Sequence, residues 1–523
     1  MKSSDTLFRL IKSLNTAEKS HFKKQFTSKS QESASKQAYI KLFDTMDNMV
    51  EYNKPEILKK IKDKKIIERY SDAKNSLYTN ILQFLYEFHP VNNFTRKVYE
   101  QIEKANILFH REQFDECEDL LEKAHKTARH YELHLYLLEI NELRAQLQFK
   151  KENKKAKEEI DLLFEQQHSI IHQYQNLADY QKLHFRVIDT LKKGQVDRKG
   201  KENKELKKLF DSPLLKEITN ARTVKAQYLF LNTHASYNNY IAKLEEQYKY
   251  LHALVMLLNH TPQVAQTTPM RTLYAYTRYL TMSMVLNKYE NFQNILDKFL
   301  SIEFPSLFFE TLYKYEQASI KMRILLTRGD IQLAFSQIKK FESDLCPILN
   351  NVDYYPSQYK LWQFNCMLVC FFNKSYKDVN VYLNNILNYV GSSSEIDYIT
   401  LPCRLIKLII FFEQKDFNTL DDLIRSTRLY LKRHNQLLEF EEAITNHLKI
   451  LIYENNQKTI KEHFQKLKAY LESSFTIGHI TNIIGFNPYL WIDSKIEDKS
   501  IEKLIKEYAE KESPAISGIK LKL

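Results

Sequence analysis

The sequence predicts an all-α fold arranged as an α-solenoid, on three observations: scarce glycine, a recurring helix-turn-helix interval, and prolines that punctuate that interval. Only seven of 523 residues are glycine, and none precedes Gly194. Glycine supplies the positive-φ turns of hairpins and the close backbone approach of phosphate-cradling loops, and its usual share is about 7%. Sheet hairpins and nucleotide loops are therefore not expected, and most enzyme classes go with them.

The interval is read from apolar residues that follow short polar turns: Phe114 in REQFDEC, Tyr289 in NKYENF, Ile331 in RGDIQLA, Tyr376 in KSYKDV and Phe417 in QKDFNTL. The last four stand 42, 45 and 41 residues apart. Weaker markers near Lys155, Gly200, Ile241 and Lys458 complete about nine antiparallel helix pairs between Asn93 and Ser473. Pro262, Pro269, Pro305, Pro356 and Pro402 fall between pairs, where proline opens a helix without breaking one. Helix pairs at a fixed period, none able to bury its apolar face alone, are the signature of stacked repeats.

Three regions follow. Residues 1–90 form a basic helical domain or cap, with helices expected over Asp5 to Leu14, Thr16 to Phe26, Lys36 to Tyr52, Pro55 to Lys62 and Ser71 to Phe88. Asn15 with Glu18 resembles a capping box, and Ser71 suits an N-cap. Residues 91–473 carry the repeats. Residues 474–523 form a helical cap, in which FTIGHITNIIGFNPYLWIDSK precedes a charged helix from Ser500 to Glu510.

Apolar residues at 43% and charged residues at 27% give a globular composition, and 33 Tyr with 31 Phe supply rings for helix seams. Asp5, Arg9 and Lys12 interrupt any secretory apolar stretch, and no run is long enough to span a bilayer. Cys117, Cys346, Cys366, Cys370 and Cys403 are odd in number and scattered, which fits a reducing, cytoplasmic compartment.

The formal charge of +12 is concentrated. Residues 1–90 hold 17 Lys and Arg against 11 Asp and Glu, and residues 191–210 hold eight against three. A basic helical unit suits a phosphate backbone, so a nucleic-acid-associated protein is an alternative expectation. Lys59, Lys60, Lys62, Lys64 and Lys65 are interleaved with Ile61, Ile66 and Ile67, however, the pattern of a solvated helix edge. The second window contains Gly194 and Gly200 with no stacking aromatics, and reads as an exposed loop.

No GxSxG, Walker, HExxH or CxxC motif is present, and neither an enzyme nor a cofactor is expected. Cys366 and Cys370, one turn apart in an apolar stretch, read as core. His130 and His134 recur at i, i+4, as do His168 and His172. In a hairpin turning near Lys151, all four imidazoles would lie at one level, as a zinc or nickel site requires. The competing reading leaves them exposed or singly hydrogen-bonded.

Polar residues inside apolar first helices carry the functional signal. Asn232, Arg278, Lys321, Asn365 and Lys407 lie 9, 11, 10, 11 and 10 residues before their turn markers, at nearly one depth in five successive repeats. Such groups are costly unless they meet water or a partner, so this ladder either lines an open groove or hydrogen-bonds neighbouring repeats.

REQFDECEDLLEKA and RGDIQLAFSQIKKF resemble the tetratricopeptide repeat family. Gly329, Ile331 and Ala334 occupy its turn, apolar and small positions, as Phe114, Cys117 and Ala124 do with cysteine as the small residue. The period near 42 departs from the family's usual 34 or so. The resemblance implies a right-handed superhelix whose first helices wall a concave groove that holds a peptide or protein partner, hence a non-enzymatic scaffold or adaptor. The segments LFRLIKSLNTAEKSHFKK, YIKLFDTMDNMVEY and NPYLWIDSKIEDK also resemble a class of long cytoplasmic helical-repeat proteins common in Bacteroidetes, a likeness that implies no assigned activity.

Overall fold

Some helices open at side-chain caps, as at Asn53 and Thr223, or at prolines, as at Pro262 and Pro269, and several close at left-handed turns. The computed structural model describes all residues except 1–5, 15, 29–33, 50, 62, 89–92, 152–155, 194–203, 242, 303–306, 346–348, 350–355, 389–398, 434–438, 475–487, 513 and 522–523. The regular elements are all helical, with no strand among the described residues. The chain divides into two compact units: Met1–Asn93 with the short pieces Phe304–Glu310 and Leu349–Asn351, and the remainder.

The first unit holds α1 (Thr6–Ser13), α2 (Thr16–Ser28), α3 (Ala34–Asp47), α4 (Lys54–Lys60), α5 (Lys64–Glu68) and α6 (Tyr70–Phe88). Leu42, Phe43, Met46, Ile57, Leu77 and Ile81 are buried at its centre. Phe22 joins three helices there, its ring 5.3 Å from Phe43 and 5.5 Å from Phe84. Asn53 caps α4 by accepting from the Glu56 amide, and Asp63 accepts from the Ile66 amide at α5. Ser71 is not a cap, because α6 already starts at Tyr70; the expected cap Asn15 lies outside the described residues. Lys59, Lys60 and Lys64 are exposed over buried Ile57, Ile61 and Ile66, a solvated edge.

The second unit is a succession of helix pairs. They are α7 (Asn93–His110) with α8 (Phe114–His130), α9 (His134–Lys151) with α10 (Ala156–Lys193), and, after the short α11 (Lys204–Phe210), α12 (Val224–Tyr240) with α13 (Leu244–His260). The short α14 (Pro262–Gln266) leads to α15 (Pro269–Val285) with α16 (Phe292–Leu300), and α17 (Leu307–Arg328) with α18 (Ile331–Asp344) follows. Next come α19 (Pro356–Phe372) with α20 (Tyr376–Leu387), α21 (Thr400–Glu413) with α22 (Phe417–Arg433), and α23 (Glu439–Leu451) with α24 (Gln457–Ser474). The second helix of one pair packs on the first of the next, as α13 does on α15, α18 on α19 and α20 on α21.

Phe114, Ile331, Tyr376 and Phe417 are each the first residue of a second helix, and Tyr289 precedes one by three residues. The pair expected around Gly200 is different. Its first helix and the second helix of the preceding pair are one continuous element, the 38-residue α10. Residues 156–193 contain neither glycine nor proline, so nothing interrupts the hydrogen-bond ladder. Gly194, Gly200, Lys155, Pro305 and Cys346 lie outside the described residues, as does most of the glycine-containing tail segment.

One turn geometry recurs. Glu112, Glu132, Asn287, Gly329, Lys374 and Lys415 adopt φ between 49° and 76°, each two residues before the start of a helix or its marker. The amide after each bonds a carbonyl five residues back: Gln113 to Leu108 at 3.0 Å, Leu133 to Ala128 at 2.8 Å, Lys288 to Ser283 at 2.8 Å, Asp330 to Leu325 at 2.9 Å, Ser375 to Cys370 at 2.9 Å and Asp416 to Phe411 at 3.2 Å. This is the Schellman closure, which satisfies the last carbonyls of the preceding helix. Five of these six left-handed positions are not glycine, so scarce glycine does not mean scarce left-handed turns.

The tail does more than close the last pair. α25 (Tyr489–Glu497) packs on α24, with Trp491 against Phe412 and Phe464 and its Nε1 donating to Glu413 at 2.7 Å. α26 (Ile501–Glu512), capped by Ser500, and α27 (Pro514–Ser517) then run back over earlier turns. Asn287 bonds the Tyr508 hydroxyl at 3.3 Å, Arg328 Nε donates to the Ile516 carbonyl at 3.0 Å, and the Gln293 side chain brackets the Lys520 backbone.

Candidate functional site

Each first helix of the central pairs carries a polar stripe that stays half-exposed or exposed beside buried neighbours. On α12 the stripe is Lys225, Asn232 and Ser236; on α15 it is Arg271, Tyr274 and Arg278; on α17 it is Lys314, Gln317 and Lys321. Spacings of three, four and seven put each set on one helix face.

Charge is segregated with these faces. The five helices α12, α15, α17, α19 and α21 carry ten Lys and Arg against three Glu, net +7. Their partners α13, α16, α18, α20 and α22 carry nine against eight, net +1. Of the three carboxylates, Glu316 is buried, and Glu413 is engaged by Trp491 and by Lys495 at 2.6 Å.

Two ladder residues meet directly. Arg278 Nη1 donates to Asn232 Oδ1 at 2.6 Å, and Nη2 reaches Ser236 Oγ at 3.5 Å. Burial lowers the guanidinium's pKa. The next residue of α12, Thr233, holds His184 of α10 at 2.8 Å. The Thr233 hydroxyl proton goes to the Leu229 carbonyl at 2.6 Å, so His184 Nδ1 is the donor and Nε2 carries the lone pair. Burial, followed by the Arg271 and Arg278 charges, pushes His184 down to about 4, and the ring is neutral at pH 7. Arg271 lies 5.7 Å over the Tyr228 ring, whose hydroxyl donates to the Arg271 carbonyl at 3.3 Å. Burial holds that hydroxyl protonated, with a pKa of about 12.

The left-handed turn at Glu132 docks on the same face. Its carboxylate accepts from the Val224 and Lys225 amides at 2.8 and 3.2 Å, capping α12, and Lys225 Nζ donates to the Tyr131 and Glu132 carbonyls. Burial first, then Arg271, lowers the Lys225 pKa against the pull of Glu132.

The other ladder residues are placed separately. Lys321 is half-buried and lowered by burial, with Lys340 and Asp344 of α18 facing it. Lys407 is half-buried, also lowered by burial, with its Nζ 5.9 Å from the Phe411 ring centre. Asn365 corrects the expectation of an open groove at every rung: it is 2% exposed, inside the core, with its Nδ2 unpartnered. Cys366 and Cys370 beside it are fully buried free thiols.

The histidines do not assemble. His130 ends α8 and His134 starts α9, so the Glu132 turn separates them and they share no helix face. His134 is buried against the Tyr174 ring, whereas His130, His168 and His172 are exposed. Nor does a helix end at His172, because α10 continues to Lys193. Among the described residues no three His, Cys, Asp or Glu side chains stand together as a metal ion would need, and no helix there is long and apolar enough to cross a membrane.

Lys225, Tyr228, Arg271 and His184 belong to this face and were not singled out from sequence. The seven-residue spacing of Arg271 and Arg278 was the available signal; His184 had none, since a long-range contact brings it in. Compared with protein-family models, curated proteins and solved structures, the chain matches none.

Proposed function

We propose that this chain is a non-enzymatic scaffold: a tetratricopeptide-like α-solenoid whose first helices face a concave groove and hold a peptide or protein partner there. The single observation that supports this most is the charge segregation, with net +7 on the first helices against net +1 on the second. Core packing alone has no use for cations at half-buried positions, since each loses hydration there without an equal return. A partner that supplies acceptors would recover that loss and take its register from the row of cations. Gln358 of α19, two pairs on, acts on the Tyr274 hydroxyl of α15 against the effect of burial, which fits first helices that approach one another.

Affinity capture from the native host, comparing the unaltered chain with an Arg278→Ala, Lys321→Ala, Lys407→Ala variant of equal helicity, tests this. Loss of specific partners from the variant is expected. An unchanged partner set would place recognition elsewhere.

A further inference from the structure

Arg271 and Arg278 bring two positive charges to one half-buried face of α15, and no carboxylate answers them. Among the described residues neither arginine forms an ion pair; Arg278 has only the neutral acceptors Asn232 and Ser236, and Arg271 has the Tyr228 ring. Glu132, which docks on α12, already accepts two backbone amides there, and Glu316, which acts on Thr277 and Tyr274 of α15, is held towards its neutral acid by burial. A guanidinium withdrawn from water without a counter-charge is costly, and it carries five donors, of which Arg278 has placed two.

The third side of the site is His184. Asn232 and Thr233 are consecutive on α12; one anchors Arg278 from α15 and the other anchors His184 from α10. The ring is thereby fixed with Nδ1–H on Thr233 and Nε2 unprotonated. The charged groups that act on it are Arg271 and Arg278 from α15; Thr233 of α12 holds its Nδ1, and the Phe185 ring neighbours it on its own helix. Both arginines oppose a proton on it; an anion between them would remove that opposition.

We propose that Arg271, Arg278 and His184 form a binding site for a phosphomonoester dianion. Two fixed guanidiniums match a charge of about −2, and their planar donors match phosphoryl oxygens in paired fashion. A carboxylate would leave one charge uncompensated. His184 Nε2, once protonated, becomes a further donor, so binding puts a proton on that ring. The inference extends the scaffold reading but stands on separate observations: the phosphate is carried either by a phosphorylated side chain of the partner or by a small molecule.

Isothermal titration with inorganic phosphate, against sodium acetate at equal ionic strength, tests the site. Phosphate binding is expected, with acetate weaker by roughly tenfold or more. Arg271→Met and Arg278→Met keep the apolar stem and should each weaken phosphate at least about tenfold. Lys104→Met, which removes an exposed cation on α7, should leave it unchanged. At pH 6 inorganic phosphate gives up a proton as it binds as the dianion while His184 takes one up, so net proton release, read from the dependence of the heat on buffer ionisation enthalpy, should be small in the parent and larger in His184→Phe. Absence of phosphate binding, equal affinity for acetate, or equal weakening by Lys104→Met overturns the proposal and leaves the partner-capture result standing. A phosphoserine peptide that binds more tightly than phosphate assigns the site to a partner, and equal affinities assign it to a small phosphomonoester.

Discussion

Gly329 sits beneath Lys506 with no room for a side chain: a Cβ at Gly329 would come within 2.7 Å of Lys506 Cγ and 3.2 Å of its backbone nitrogen. Six turns share the left-handed geometry, and this is the one glycine among them. At Glu112, Glu132, Asn287, Lys374 and Lys415 the same φ is held by ordinary side chains. Conformational freedom alone therefore does not demand glycine at 329, and the returning tail does.

Gly329→Ala should lower stability by about 1–3 kcal/mol, because it adds left-handed strain to a contact that must move. Lys374→Gly and Lys415→Gly should do the reverse, each raising stability by about 0.5–1 kcal/mol as left-handed strain is relieved. Thermal unfolding of the three variants checks both signs. A Gly329→Ala protein as stable as the parent would mean that the tail does not rest on this turn.

Trp491 anchors that tail. It is fully buried between Phe412 and Phe464, at ring separations of 6.1 and 5.2 Å, and its indole N–H is spent on Glu413. Trp491→Ala leaves a cavity and takes the indole donor from Glu413, which keeps its ion pair with Lys495, a loss of about 3–5 kcal/mol. The loss should be local. Hydrogen exchange should quicken across 489–521 and at the turns near 287 and 329, while α12 keeps its protection.

Glu316 makes stability depend on pH. Burial raises it to about 7, against weaker opposition from Thr277 and Arg323. Thr277 also donates its hydroxyl to the Leu273 carbonyl at 3.1 Å, so its hold on the carboxylate is weak. An acid whose folded pKa exceeds its unfolded value binds more protons when folded, and its contribution is fully present below about pH 4.5. That contribution falls away as pH rises towards 7, by on the order of 3 kcal/mol in all. Glu316→Gln cannot ionise. The melting temperature of the variant, relative to the parent, should therefore rise between pH 5 and pH 7.5; parallel profiles would rule the carboxyl out.

Several features of this fold are legible in the sequence because they repeat. An apolar residue that follows a left-handed turn must tuck back between two helices, which is why Phe114, Ile331, Tyr376 and Phe417 mark second helices to the residue. Continuity at α10 was hidden by a basic stretch near Gly200 that looks like a turn, although no breaker lies within 156–193. The histidine register failed on one residue: Glu132 takes φ 49° and splits an assumed helix, which no propensity of glutamate foretells. The tail left no trace in any period, since contacts such as Gln293 with Lys520 span 227 residues. Of the site, Asn232 and Arg278 were legible as buried polar residues, but His184 enters from another helix.

Asn365 resembles its fellow ladder residues in sequence and differs from them in burial. Arg278 finds Asn232 and Ser236, whereas Asn365 lies between Phe364 and Cys366 in a helix buried along its whole second half, and its Nδ2 has no acceptor. A buried amide that leaves a donor unmade costs about 1–3 kcal/mol, and an apolar group of similar shape removes that cost. Asn365→Leu should therefore raise stability by about 1 kcal/mol, the smaller figure allowing for imperfect repacking of the branched side chain. Partner capture should not change, because the residue is out of reach of any ligand. If the substitution instead destabilises the fold and abolishes capture, Asn365 is exposed in a conformation that opens this helix to the partner, and its depth in the core belongs to the closed state alone.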